Sequence, residues 1–298
     1  MKKYITILFC LCCSLRLSAQ YSYGTTGLLN MPTADMQRDK TVLIGGSYLE
    51  KHTSPGRWFY DTFNYYVNIT VFPWLEVAYD LTLHKALPVD PAYGHKFWVP
   101  YTYGKFVNQD RNFAARVRLW KEGWWREWTP QIVIGANDVV HNSWESGSKI
   151  KPISQRSNGF KNRYYLAITK HIDLEGVGQI GAHLSYVYNK RPEYGINAPA
   201  IGADVKFDVS SSIDQDVTWQ KALNSLDLML ELYPAGNKGV SYYEKVNGEK
   251  PSRGLHLGIW DVNMGGSYSF VGDLINLYGE FYGCRYFSGG VMLKLHLR

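Results

Sequence analysis

The chain is expected to fold as an all-β, closed antiparallel transmembrane barrel of about twelve strands, with ten or fourteen as alternatives. Three observations predict this. Between Phe63 and His84, Leu75, Val77, Tyr79, Leu81 and Leu83 share one parity while Trp74, Glu76, Ala78, Asp80, Thr82 and His84 share the other. Side chains alternate faces along a strand, so the segment carries an apolar row and a mostly polar row. The same alternation recurs down the chain. Aromatic residues make up 15% of the sequence, with 23 tyrosines, as interfacial aromatic girdles require.

The chain opens with MKKYITILFCLCCSLRLSAQ. Lys2 and Lys3, the apolar run Ile5 to Leu15 and the small pair Ser18-Ala19 read as a secretory signal peptide over residues 1–19. Cys10, Cys12 and Cys13 fall inside it, and Cys284 alone follows, so no internal disulfide is expected. Neither Phe9-Cys10 nor Cys12-Cys13 presents the small residue that lipidation needs. No later stretch reaches the roughly 18 consecutive apolar residues of a membrane helix. Removal of Lys2, Lys3 and Arg16 leaves 29 basic against 26 acidic side chains, an excess of +3 rather than +6, too small to indicate nucleic acid.

Residues 20–40, rich in Gly, Thr and turn formers, are expected to fold against or into the periplasmic mouth of a barrel spanning residues 41–298. Strands are predicted at 41–50, 63–72 and 74–84, with Pro73 at the hairpin turn because proline cannot donate to a ladder. A long aromatic loop, 85–110, follows. Strands at 112–120 and 131–140 flank a turn holding Trp124, Trp125 and Trp128, with a bulge or membrane exit expected at Asp138. Residues 161–171 and 179–189 form a hairpin, and 200–209 a further strand. The 210–224 connection is the one suited to a short helix. Strands at 226–232, 255–262, 273–283 and 289–298 complete the count. Connections after odd strands are mostly long and those after even strands mostly short, the asymmetry of extracellular loops and periplasmic turns. The location this implies is the outer membrane of a Gram-negative cell; a soluble periplasmic sandwich is the alternative.

The inward parity carries Trp74, Glu76, Asp80, Asp227 and Glu231, opposed by Arg116, Arg118, Lys294 and His296. Two readings stay open. One is a lumen filled by ion pairs and blocked by side chains and the N-terminal segment. The other is a polar, aromatic-edged path in which Trp and Tyr faces stack on sugar rings and acids accept hydroxyl hydrogen bonds. His183 and Ser185 share a strand face, with Glu231 as a possible third member of a triad, but i, i+2 spacing arises often by chance and no enzyme activity is expected. No metal-ligand spacing links His84, His95 and His141, and there is no phosphate loop or nucleotide fingerprint, so no cofactor is expected.

Several of these stretches resemble the YjbH family of exopolysaccharide-biosynthesis outer-membrane proteins. They are Gly24-Thr-Thr-Gly27-Leu-Leu-Asn-Met-Pro32-Thr33-Ala34, Pro73-Trp74-Leu75-Glu76, Arg116 to Gly123, and Pro130 to Asp138. Tyr164 to Asp173, Ile201-Gly202 and Leu226 to Tyr233 match more loosely, and the order is kept from about residue 24 to 235. Members are much longer, with more than one barrel-like region, so this chain corresponds to a single-barrel version. It ends in Arg298 rather than in the aromatic common at barrel C-termini. The resemblance implies a non-enzymatic outer-membrane role in making or exporting capsule or exopolysaccharide, with lipid, polysaccharide and periplasmic assembly proteins as partners. It also singles out Asn137-Asp138, where an acid at a strand end fits either a binding role or a satisfied turn. A small general porin is the alternative function, and a barrel acyl hydrolase a third.

Overall fold

The computed structural model describes residues 22–50, 52–53, 61–85, 106–137, 162–189, 196–209, 218–234 and 254–297. Among these, thirteen strands and one short helix occur in the order β1 (Thr41–Leu49), β2 (Thr62–Phe72), β3 (Leu75–Lys85), β4 (Phe106–Trp120), β5 (Gln131–Asn137), β6 (Arg163–Leu174), β7 (Gly178–Asn189), β8 (Ala198–Phe207), α1 (Thr218–Asn224), β9 (Leu226–Pro234), β10 (His256–Leu257), β11 (Trp260–Phe270), β12 (Ile275–Tyr282) and β13 (Tyr286–His296). Sequential neighbours pair antiparallel from β1 to β9, and β9 pairs with β11. The last strand returns to the first, with Thr41 opposite His296 and Tyr48 opposite Gly289. Twelve strands therefore close into a barrel. The two-residue β10 lies beside β11 at the rim. Closure leaves no sheet edge with unpaired backbone groups.

The faces of this sheet are inverted relative to a water-soluble sandwich. On β2, Thr62, Asn64, Tyr66, Asn68 and Thr70 are buried, whereas Tyr65, Val67, Ile69 and Val71 are exposed. On β9, Asp227, Met229 and Glu231 point inward while Leu228 and Leu230 are exposed. The apolar rows thus clothe the outside, and the charges are enclosed.

The largest departures from the sequence expectation are at the fourth and tenth barrel strands and at the last turn. The fourth strand begins at Phe106, so the aromatic loop before it is shorter than expected. The tenth barrel strand runs from Trp260 to Phe270 rather than over 255–262. Residues 255–259 belong to a small hairpin, because Gly254 and Gly258 take left-handed backbone angles that break the ladder. The last connection after an odd barrel strand, Gly283 to Arg285, is a tight turn, shorter than the expected 284–288. Asp138, with its expected bulge, lies outside the described residues; bulges occur instead after Thr70, His84 and Arg118. The short helix α1 falls in the connection expected to hold one.

Twelve strands enclose a lumen wider than wall side chains alone fill. Residues 22–37 occupy it, and nearly all are buried. Leu28, Leu29, Met31 and Ala34 form one cluster with the small or flexible wall residues Val133, Ala167, Val187, Ala200, Met229 and Met292. At Gly202 the segment lies so close that a Cβ would collide with Leu28 and Met31.

Candidate functional site

The segment is held mainly through its backbone, and the enclosed charges do the holding. Glu76 accepts from the Thr26 amide at 2.8 Å and from the Thr26 hydroxyl at 2.6 Å, with Asn68 Nδ2 adding a third donor at 2.7 Å. Arg116 lies directly across the ladder from Glu76. Its guanidinium donates to the carbonyls of Thr26, Thr33 and Asp35, the last at 2.9 Å, and stands 3.5 Å from Glu76. Both side chains are fully enclosed. Removing either partner of such a pair leaves an uncompensated charge at a cost of about 3–5 kcal/mol.

A second clamp closes on Asn30 and Met31. Glu231 accepts from the Asn30 amide at 3.0 Å, the Met31 amide at 2.9 Å and Asn263 Nδ2 at 2.9 Å. Asn30 Nδ2 bridges Glu231 and Glu280. Arg163 donates to the Asn30 carbonyl at 2.7 Å, to Tyr233 Oη at 2.9 Å and to Asn137 Oδ1 at 3.0 Å, and its guanidinium lies 3.3 Å over the Tyr23 ring. Carboxylates accept from the segment's N–H groups and guanidinia donate to its C=O groups. A peptide backbone buried in this way needs such partners.

The segment leaves the lumen at the end where the hairpin turns 73–74, 121–130, 175–177 and 271–274 lie. There Thr169 Oγ1 accepts from the Ala34 amide at 2.9 Å. Asp35 lies 3.2 Å from His171 Nε2 and 3.7 Å from His183 Nδ1. His183 Nε2 is 2.7 Å from Asp204, which pairs with Lys206 at 3.0 Å. Burial pushes the Asp35 carboxyl up, but the His171 hydrogen bond and the charges of His183 and Lys206 outweigh it and hold the carboxyl well below the usual range. Glu122, in the 121–130 turn, accepts from His171 Nδ1 at 2.6 Å and Lys170 at 2.8 Å. Its carboxyl is lowered as well, these bonds overcoming burial.

Beside this cluster a polar cavity of about 400 Å³ opens between the segment's exit and the turns. Arg118, Lys121, Lys170, His171 and Lys206 bring positive charge to it. Asp35, Glu122 and Asp173 bring negative charge, and Gln131 and Gln179 supply amides.

The residues singled out from the sequence therefore separate. Glu76, Arg116 and Glu231 bind the enclosed segment. Asp80 is buried beside Asn112, whose Nδ2 lies 3.4 Å away, and Asp227 is buried 3.9 Å from Lys206. Arg118 is the one that reaches the mouth cavity. Trp74 does not enter the lumen: it occupies the two-residue turn between β2 and β3, half exposed and stacked on Phe72 at 5.3 Å. The parity that links it to Glu76 ends where the strand begins, at Leu75. Lys294 is buried against Asp273 at 2.8 Å, whereas His296 is exposed at the strand end. Asp138 lies outside the described residues. His183 engages Thr169 and Asp204 rather than Ser185, whose hydroxyl has no partner among the described residues. Sequence reasoning missed Arg163, Glu280, Asp204 and Lys206. Arg163 shares the inward parity of Tyr165 and Ala167, and that was the available signal.

A family model described as exopolysaccharide biosynthesis protein YbjH matches residues 19–272. Among curated proteins, the chain is 29% identical over 125 residues to one named uncharacterized lipoprotein YjbH, from Escherichia coli strain K12. That alignment covers 41% of this chain and 14% of the relative, so the chain matches only a small part of the relative's length.

Proposed function

This chain belongs to the YjbH exopolysaccharide-biosynthesis family, and from that premise we propose that it is an outer-membrane barrel that assists export or assembly of capsule or exopolysaccharide without catalysing a reaction. The observation that carries the reading is the occupied lumen. A general porin needs a standing aqueous path, and here residues 22–37 fill the interior and are bound by its fully enclosed charges.

Membrane residence is supported by the inverted faces. Eleven-residue strands such as β2 and β3 extend about 36 Å. At the tilt of roughly 40° usual for such barrels they rise about 28 Å, enough for an apolar band of about 25 Å. The exposed Trp124, Trp125 and Trp128 of the 121–130 turn suit one membrane interface. The partners proposed are outer-membrane lipid, the polysaccharide and periplasmic export or assembly proteins.

Two measurements test the reading together. In planar bilayers the purified chain should show no steady conductance, while a variant lacking residues 22–36 should conduct. Deletion of the gene in its host should lower secreted or surface-bound polysaccharide. Steady ohmic current from the unaltered chain would make it a porin, and unchanged polysaccharide in the deletion strain would remove the export role.

A further inference from the structure

We propose that the turn-end cavity is a binding site for an acidic saccharide unit, anchored by Arg118 and Lys121. The cavity's volume of about 400 Å³ falls in the range of small-ligand sites, roughly 300–1,000 Å³. Its ionic accounts do not close from within. Lys170 is neutralised by Glu122 at 2.8 Å, Lys206 by Asp204 at 3.0 Å, and His171 lies between Asp35 and Glu122. Among the described residues, no carboxylate pairs with Arg118 or Lys121. The Nε–H of Arg118 is buried without an acceptor among the described residues, although a guanidinium presents five donors in a fork matched to a carboxylate or phosphate. An inward Arg on β4 that makes no side-chain hydrogen bond among the described residues stands out in a lumen where Arg116 and Arg163 each bond several groups.

The remaining lining decides the class of anion. A bare inorganic ion needs only the cations. This wall also holds the amides of Gln131 and Gln179 and the carboxylates of Asp35, Glu122 and Asp173. Gln179 Oε1 is buried with no donor among the described residues. Such acceptors suit hydroxyl groups, so the fitting ligand carries both a negative charge and several hydroxyls. The assignment deepens the proposed export role, on which its biological meaning rests, but the site itself is testable without it.

The test is calorimetric titration of the full chain in detergent with tetragalacturonate, maltotetraose and inorganic phosphate. Tetragalacturonate should bind at least tenfold more tightly than either of the others. Arg118→Gln and Lys121→Gln should each weaken it by about tenfold, the loss of one charge-assisted hydrogen bond. Lys121 lies in an exposed turn, so its variant leaves the barrel intact, as heat-modifiable gel mobility will report. Equal binding of maltotetraose, phosphate binding as tight as tetragalacturonate, no tetragalacturonate binding, or unaltered affinity in both variants would each overturn the assignment. Binding without a polysaccharide phenotype on gene deletion refutes the export role and keeps the site. A phenotype without binding does the reverse.

Discussion

Substituting Glu231 by leucine isolates the second clamp on the enclosed segment. The change leaves three buried donors without acceptors: the Asn30 amide, the Met31 amide and Asn263 Nδ2. Each orphaned donor costs about 1–3 kcal/mol, so the sum is about 3–9 kcal/mol. Asn30 Nδ2 keeps its bond to Glu280, and removing one of two carboxylates that share this amide relieves their repulsion. The lower figure, about 3 kcal/mol, is therefore the working one. The barrel wall does not have to bear this cost, because letting the segment out rehydrates all three donors. The expected outcome is faster opening of residues 22–36 with the strands intact. Hydrogen exchange of the Asn30 and Met31 amides should accelerate about a hundredfold, since about 1.4 kcal/mol corresponds to a factor of ten. Glu231→Gln, which retains one acceptor oxygen, should fall between the two. Exchange within threefold of the unaltered chain in Glu231→Leu, with the barrel folded, would refute the argument that these charges retain the segment.

Three further outcomes follow from the barrel and its enclosed segment. Asp35 and Glu122 have lowered carboxyl pKa values, so their contribution is present above the unfolded carboxylate value of about 4 and is lost as pH falls below it through the folded values. Protection factors of the 33–36 stretch, corrected for intrinsic exchange, should fall as pH is lowered from about 5 to about 2. Asp273 is raised by burial, which outweighs Lys294, so the 271–274 turn should move the opposite way and gain protection in acid. Gly135 lies under the Tyr165 ring with no room for a Cβ. Gly135→Ala should therefore cost about 1–3 kcal/mol of overpacking, read as a lowered midpoint of heat-modifiable mobility, and an unchanged midpoint would show that the ring moves freely.

The architecture was legible because apolar side chains outside and charge inside impose a two-residue period that a sequence displays directly. Leu226, Leu228, Leu230 and Leu232 against Asp227 and Glu231 are enough to orient β9. Strand limits set by backbone angle are less visible: nothing in the pattern of Leu255 to Val262 reveals that Gly254 and Gly258 turn left-handed and delay β11 to Trp260. The site was legible only in part, for a related reason. Period-two reading says that Glu76 and Arg116 face inward, but not what meets them. Their partners are Thr26, Thr33 and Asp35, 50 to 90 positions away in a stretch with no period of its own. Trp74 shows the complementary failure, since parity is undefined in a turn.

The contrast between Arg116 and Arg118 gives the division of labour in the lumen a physical basis. Both come from β4 on the inward parity, two residues apart. Arg116 is fully enclosed and its guanidinium bonds three backbone carbonyls of residues 26–35. Any ligand reaching it would first have to displace a segment anchored by two carboxylates, Glu76 and Glu231. Arg118 sits just beyond the point where the segment emerges, next to a bulge that shifts the β4–β5 register. It meets the cavity rather than the segment. Charges deep in the barrel are thus committed to holding the chain's own residues, and the mouth is where uncommitted charge faces solvent. An acidic ligand arriving at the turn end would meet Arg118 and Lys121 in a cavity that Asp35 of the segment also lines. Asp35 and His171 both line the cavity and lie 3.2 Å apart, so a ligand that drew His171 away from Asp35 would loosen the segment at its exit first.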